Sequence, residues 1–189
     1  MLKVQLATLG CAGALAAGCS GSGAPQSAQT ATVTVTAEPT VATEKQPALI
    51  KIGSQHPFND SDSTGTMTVL KFRQPFPSRF PPDRAGYEFA GIEIRQCFKT
   101  ISAKEGISVG WEPWSLTYKN GTIVDPPSSW SADHFSVPLY PRDRPVRAGQ
   151  CVRGWIPYEV PKGKKPSTVA YTLPASDTQA AMQVEWTVR

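Results

Sequence analysis

Beyond residue 48 no long stretch of this chain repeats its apolar residues every 3.6 positions. They recur in short alternating runs divided by turn residues, a pattern that fits strands and speaks against a helical bundle. The run at the end shows it best. Met182, Val184, Trp186 and Val188 fall on one face, and Gln183, Glu185 and Thr187 on the other. Strands are expected at Leu49–Gly53, Thr66–Phe72, Tyr87–Phe98, Ile107–Tyr118, Thr122–Val124, His134–Leu139, Cys151–Val160, Thr168–Leu173 and Met182–Val188. Asn120-Gly121 between Tyr118 and Ile123 signals a hairpin, because both residues tolerate positive φ. Eighteen prolines and fifteen glycines supply the turns such a domain needs. Eight or nine short strands within residues 49–189 point to one β-sandwich.

Residues 19–48 are mainly Ser, Thr, Ala, Gly, Pro and Gln and offer almost nothing large to bury. Such a segment cannot offset its ordering entropy, so it reads as a disordered tether spanning ~30 Å as a coil. The alternation of Thr with Ala or Val from Thr30 to Thr36 is the competing, strand-like signal. Residues 1–18 form an apolar leader behind Lys3, shorter than a membrane-spanning helix. Its end, Leu15-Ala16-Ala17-Gly18-Cys19-Ser20, resembles the lipobox of a bacterial lipoprotein signal peptide. That resemblance implies cleavage before Cys19, lipid on Cys19, and attachment to the outer side of a cell membrane. Ordinary secretory cleavage, or a lipobox at Cys11, are the alternatives.

With Cys11 in the leader and Cys19 lipidated, Cys97 and Cys151 remain. An even pair in an oxidising compartment is expected to form a disulfide. A metal or redox role is disfavoured: there is no Cys-x-x-Cys, and only His56 and His134 could assist. Strict alternation puts Cys97 on the Glu93/Arg95 face, opposite Ala90, Ile92 and Ile94, and Cys151 with Arg153. The bridge is therefore expected away from the main core unless a bulge near Gly91 or Gln96 intervenes. The formal charge is +4, falling to +3 once Lys3 leaves with the leader, too weak and dispersed to imply nucleic acid.

Three stretches carry a family resemblance: Gly86 to Ile94, Trp111-Glu112-Pro113-Trp114-Ser115-Leu116, and Ala148 to Pro161. With the lipobox they resemble actinobacterial cell-envelope lipoproteins carrying an immunoglobulin-like domain of the telokin-like, mycobacterial immunoprotective-antigen type. The family pattern is followed at Gly149, Gly154, Trp155, Val160 and Pro161. The resemblance implies an immunoglobulin-like β-sandwich of about 7–9 strands and no catalytic residue. It does not imply the Cys97/Cys151 pair.

Chemistry-bearing residues are few. Asp133-His134-Phe135-Ser136 would put His134 and Ser136 on one strand face, but sequence adjacency does not make a triad. No nucleophile elbow, zinc ligand set or phosphate loop is present, so no catalytic residue, metal or cofactor is expected. A candidate binding loop runs from Phe72 through Arg73, Phe76, Arg79 and Phe80 to Arg84, its prolines forbidding a helix. The competing reading makes these phenylalanines a plug at the end of the sandwich. The five tryptophans pose the same choice between core and a carbohydrate platform. The expected function is a lipid-anchored, non-catalytic binding module for an unknown envelope protein or cell-wall ligand. A small-ligand carrier or sensory accessory domain is the alternative, and a hydrolase using His134 the more remote one.

Overall fold

The computed structural model describes residues 48–189 except Ser129 and Thr178. The leader, Cys19 and all but the last residue of the tether lie outside the described residues. Eleven strands and one 3₁₀ turn (Ala132–His134) form among those described. The strands are β1 (Ala48–Lys51), β2 (Gln55–Asn59), β3 (Ser63–Arg73), β4 (Tyr87–Ile101), β5 (Ile107–Val109), β6 (Trp114–Thr117), β7 (Ile123–Val124), β8 (Arg144–Val146), β9 (Cys151–Pro161), β10 (Thr168–Leu173) and β11 (Met182–Thr187). One sheet runs β1-β11-β10-β6-β7, a second β2-β3-β4-β9, and β5 pairs with β8. All pairings are antiparallel except β1 with β11. The chain is thus the all-β sandwich its alternation predicts.

The core lies between the two larger sheets because alternate side chains of each point at the other. Met67, Ile92, Ile94, Ile156 and Tyr158 come from one sheet, and Trp114, Leu116, Val169, Val184 and Trp186 from the other. Burying each side chain of this size contributes about 1.5–3 kcal/mol relative to exposure. The Trp114 ring packs edge-on against Tyr171 at 4.8 Å and tilted against Trp186 at 5.8 Å. Buried indoles need partners for N–H, and Trp186 donates to the Ser54 carbonyl at 3.1 Å while Trp111 donates to the Tyr140 carbonyl at 2.5 Å.

Two expected strands change, and two further strands, β2 and β8, appear. His134–Leu139 is not a strand: Ser131 Oγ accepts the Asp133 N–H, and the chain turns in 3₁₀ form before Phe135 is buried. Ile107–Tyr118 breaks into β5 and β6 at the Gly110–Pro113 turn. β2 and β8 were hidden by Pro57 and Pro145 at their centres. Both are edge strands, where a missing N–H is tolerated. The hairpin at Asn120-Gly121 forms as expected, with Gly121 at φ 82° and the Tyr118 N–H donating to the Thr122 carbonyl at 2.9 Å.

Cys97 and Cys151 are bonded. They sit directly opposite on neighbouring strands, their Cα atoms 4.0 Å apart. The β4–β9 register is unbroken from Tyr87/Pro161 to Cys97/Cys151, so no bulge inverts the alternation. Cys151 is exposed and Cys97 half-buried. The bridge therefore clamps two strands on the outer face of one sheet, away from the core.

Candidate functional site

Past Phe72 and Arg73, which end β3, residues 74–84 form a strap that packs on the outer face of the β4–β9 pair. Its Phe76 is only 4% exposed, in a small second core with Phe89 and Phe135. The Phe76 ring lies 4.9 Å from Trp155 and directly over Gly91, where a Cβ would come within 2.6 Å of it. Neither reading of the phenylalanines described this place: Phe76 covers a sheet face and does not plug the sandwich end. Phe72 is half-buried against the main core. Phe80 is 57% exposed, its ring 5.4 Å from His134. Arg73, Arg79 and Arg84 are all exposed. The Arg79 N–H donates to the His134 carbonyl at 2.9 Å, and the Arg84 guanidinium stacks 3.9 Å above the Tyr87 ring.

His134 packs among the rings of Phe80, Phe89, Trp130 and Phe135. Ser136 is exposed and outside any strand, so the strand face that was to align it with His134 does not exist. Of the tryptophans, Trp111, Trp114 and Trp186 are buried, and Trp130 and Trp155 are half-buried beside the strap.

Two surface grooves collect the basic side chains. The larger, about 670 Å³, is lined by Arg84, Tyr87, Tyr118, Lys119, Asn120 and Lys164, with Ile123 at 60% exposure on its rim. The topology makes it. β10 pairs with β6 at Thr168↔Thr117, which brings the β9–β10 turn beside the β6–β7 hairpin. Ser167 N–H and Oγ–H both donate to the Thr117 carbonyl at 2.8 Å. The turn is held from its other side by Glu88. The Glu88 Oε1 accepts from Gln74 Nε2 at 2.8 Å and from the Gly163 N–H at 3.0 Å. Those two bonds, the Gln74 amide foremost, hold the Glu88 carboxyl below its ordinary pKa. The Tyr118 hydroxyl leans on the Lys164 carbonyl at 3.4 Å, and burial followed by the Glu88 charge pushes its pKa up. It is a neutral O–H donor at neutral pH.

The cations of this groove form no ion pairs among the described residues. Three ion pairs form among the described residues, Lys71–Glu93, Arg153–Glu93 and Arg142–Glu112, and none uses Arg84, Lys119 or Lys164. Glu159 is the one acidic side chain lining the groove. The second groove, about 580 Å³, gathers Lys51, Lys71, Arg73 and Arg189 over Phe72 and Trp155. It is less available to a ligand, because Lys71 reaches the buried Glu93 carboxylate at 3.5 Å and Phe72 belongs to the core.

Of the residues lining the larger groove, only Arg84 was an expected binding residue. Tyr118-Lys119 before the Asn120-Gly121 hairpin and the Lys162-Gly163-Lys164-Lys165 turn were local signals, but their meeting depends on the β6–β10 register. Among the described residues no cluster of three or more His, Cys, Asp or Glu could hold a metal ion.

No family model matches the chain, and a search of curated proteins finds no match. Among solved structures the chain is similar to MPT63, a secreted protein of Mycobacterium tuberculosis, at 14% identity and a TM-score of 0.53, over 77% of this chain and 100% of that one. The Bacillus subtilis proteins YjhA and YcdA align with TM-scores of 0.47 and 0.44 at 19% and 14% identity. These cover 72% and 67% of this chain, and 98% and 37% of theirs. The MPT63 likeness supports the β-sandwich fold that the family resemblance implied.

Proposed function

We propose that this chain is a non-catalytic binding module, anchored by lipid on Cys19 to the outer side of a cell membrane. The observation that carries it is the groove of unpaired cations and tyrosine rings on a rigid sandwich, in a chain whose N-terminus resembles a lipoprotein leader. Fixed walls favour binding, since little ordering entropy is lost when a ligand enters. The packing of His134 among four rings favours a structural role for the imidazole over a hydrolytic one. The secreted MPT63 has the same sandwich fold, which is compatible with a place outside the membrane.

The test expresses the full chain in a bacterium that processes lipoproteins. Intact mass of the membrane-extracted protein should show a chain beginning at Cys19 with added acyl mass. Cys19→Ala should move the protein out of the membrane fraction. A membrane-extracted chain that carries no added acyl mass at Cys19 refutes the anchor.

A further inference from the structure

We infer that the groove between the β6–β7 hairpin and the β9–β10 turn is a binding site for an acid-bearing saccharide chain. The proposal rests on the reading of the chain as a binding module and names the ligand class of its groove. Three features meet there. Tyr118, half-buried, and Ile123, exposed, offer flat apolar surface of the kind a sugar's C–H face covers. Asn120 and Thr122 add side-chain donors and acceptors suited to hydroxyl groups. Arg84, Lys119 and Lys164 are exposed and unpaired among the described residues, and Lys165, whose ammonium donates to the Arg189 carbonyl, stands beside them. Four cations against Glu159, and against the Glu88 carboxylate behind the turn, leave a formal surplus of two charges.

That surplus selects the acid. A neutral glycan offers these cations only hydroxyl oxygens, whereas a carboxylate or phosphate makes hydrogen bonds in which both partners are charged. Tyr118 and Ile123 select the saccharide, since a bare polyanion makes no use of an apolar wall, while the Tyr87 ring is covered by the Arg84 guanidinium. At about 670 Å³ the groove falls in the size range of small-ligand sites. Its walls are fixed before the ligand arrives, by the Ser167–Thr117 bonds on one side and the Gln74–Glu88–Gly163 bonds on the other.

Isothermal titration calorimetry on the full chain in non-ionic detergent tests this with four probes. They are hexagalacturonate (carboxylate), mannopentaose phosphate (phosphate), neutral maltohexaose and inorganic tripolyphosphate. One or both acidic saccharides should bind, with an affinity at least tenfold above maltohexaose and tripolyphosphate. Arg84→Ala and Lys164→Ala should each weaken that binding severalfold and flatten its salt dependence. Tyr118→Leu should weaken it at least fivefold, with thermal midpoints of all three variants matching the parent. Failure of both acidic saccharides overturns the proposal. Equal binding of maltohexaose overturns the role of charge, and equal binding of tripolyphosphate overturns the saccharide. If both acidic saccharides fail while the chain carrying Cys19→Ala is still retained on isolated cell envelopes and the same chain with Arg84→Ala/Lys164→Ala is not, the ligand class is wrong and the binding-module reading stands.

Discussion

Replacing Gly154 by alanine should cost this domain about 3 kcal/mol, although the residue sits in a strand where alanine is ordinarily the better choice. Gly154 lies on the core side of β9, and a Cβ there would stand 2.3 Å from the Tyr140 nitrogen and 2.5 Å from the Leu139 carbonyl carbon. Both obstacles are backbone and cannot rotate away. The 138–140 segment must lift, and with it two bonds, Tyr140 N–H to the Trp155 carbonyl at 2.8 Å and Trp155 N–H to the Pro138 carbonyl at 3.0 Å. Each is worth about 1 kcal/mol net. Lifting Tyr140 also draws its hydroxyl from Gln96 Oε1, a buried bond of 2.9 Å whose loss strands a polar atom at about 1–3 kcal/mol. The alanine recovers only about 0.4–1 kcal/mol through the unfolded chain. At about 3–4 °C per kcal/mol for a domain of this size, calorimetry should show a midpoint lower by roughly 10 °C. In a Tyr140→Phe background Gln96 is already stranded, so the same substitution should cost about 1–2 kcal/mol less. A Gly154→Ala midpoint within 1 °C of the parent would refute the close approach.

Other outcomes follow from the same packing. Burial pushes the Tyr171 pKa up to about 12 and raises Tyr140 and Tyr158 as well. The folded state holds these phenols neutral, so their contribution is complete below pH 10 and lost as pH rises through the folded values. Tyr171 alone accounts for about 3 kcal/mol of that loss between pH 10 and 12, which urea unfolding at stepped pH would detect; a flat profile there contradicts it. Phe76→Ala should destabilise by about 3 kcal/mol and redden Trp155 emission, whereas Phe80→Ala should stay within about 0.5 kcal/mol. Cys97→Ser/Cys151→Ser should lose about 4 kcal/mol by the loop-entropy model, yet keep its near-ultraviolet circular dichroism, because the bridge lies outside the aromatic core.

What the sequence disclosed follows from which interactions are local. Alternation is local, so β4, β9, β10 and β11 and the outward face of Cys97 were legible from parity alone. The Asn120-Gly121 turn was legible for the same reason. β2 and β8 were not, because a central proline reads as a breaker until the strand is known to lie at a sheet edge. Phe76 looked like part of a recognition loop because nothing in its neighbourhood shows that Gly91, fifteen positions away, leaves room for its ring. The groove was illegible for a related reason. Arg84, Tyr118 and Lys164 are brought together by the β6–β10 register and by Glu88 holding the β9–β10 turn, and no run of sequence contains all three.

On the proposed function, the groove is the surface that this domain presents to the cell envelope. The most direct test is co-sedimentation of the full chain, as the Cys19→Ala variant, with isolated cell envelopes. The chain should be retained, 0.5 M salt should abolish that retention, and the Arg84→Ala/Lys119→Ala/Lys164→Ala variant should lose it at least tenfold. Equal retention of parent and triple variant would contradict it.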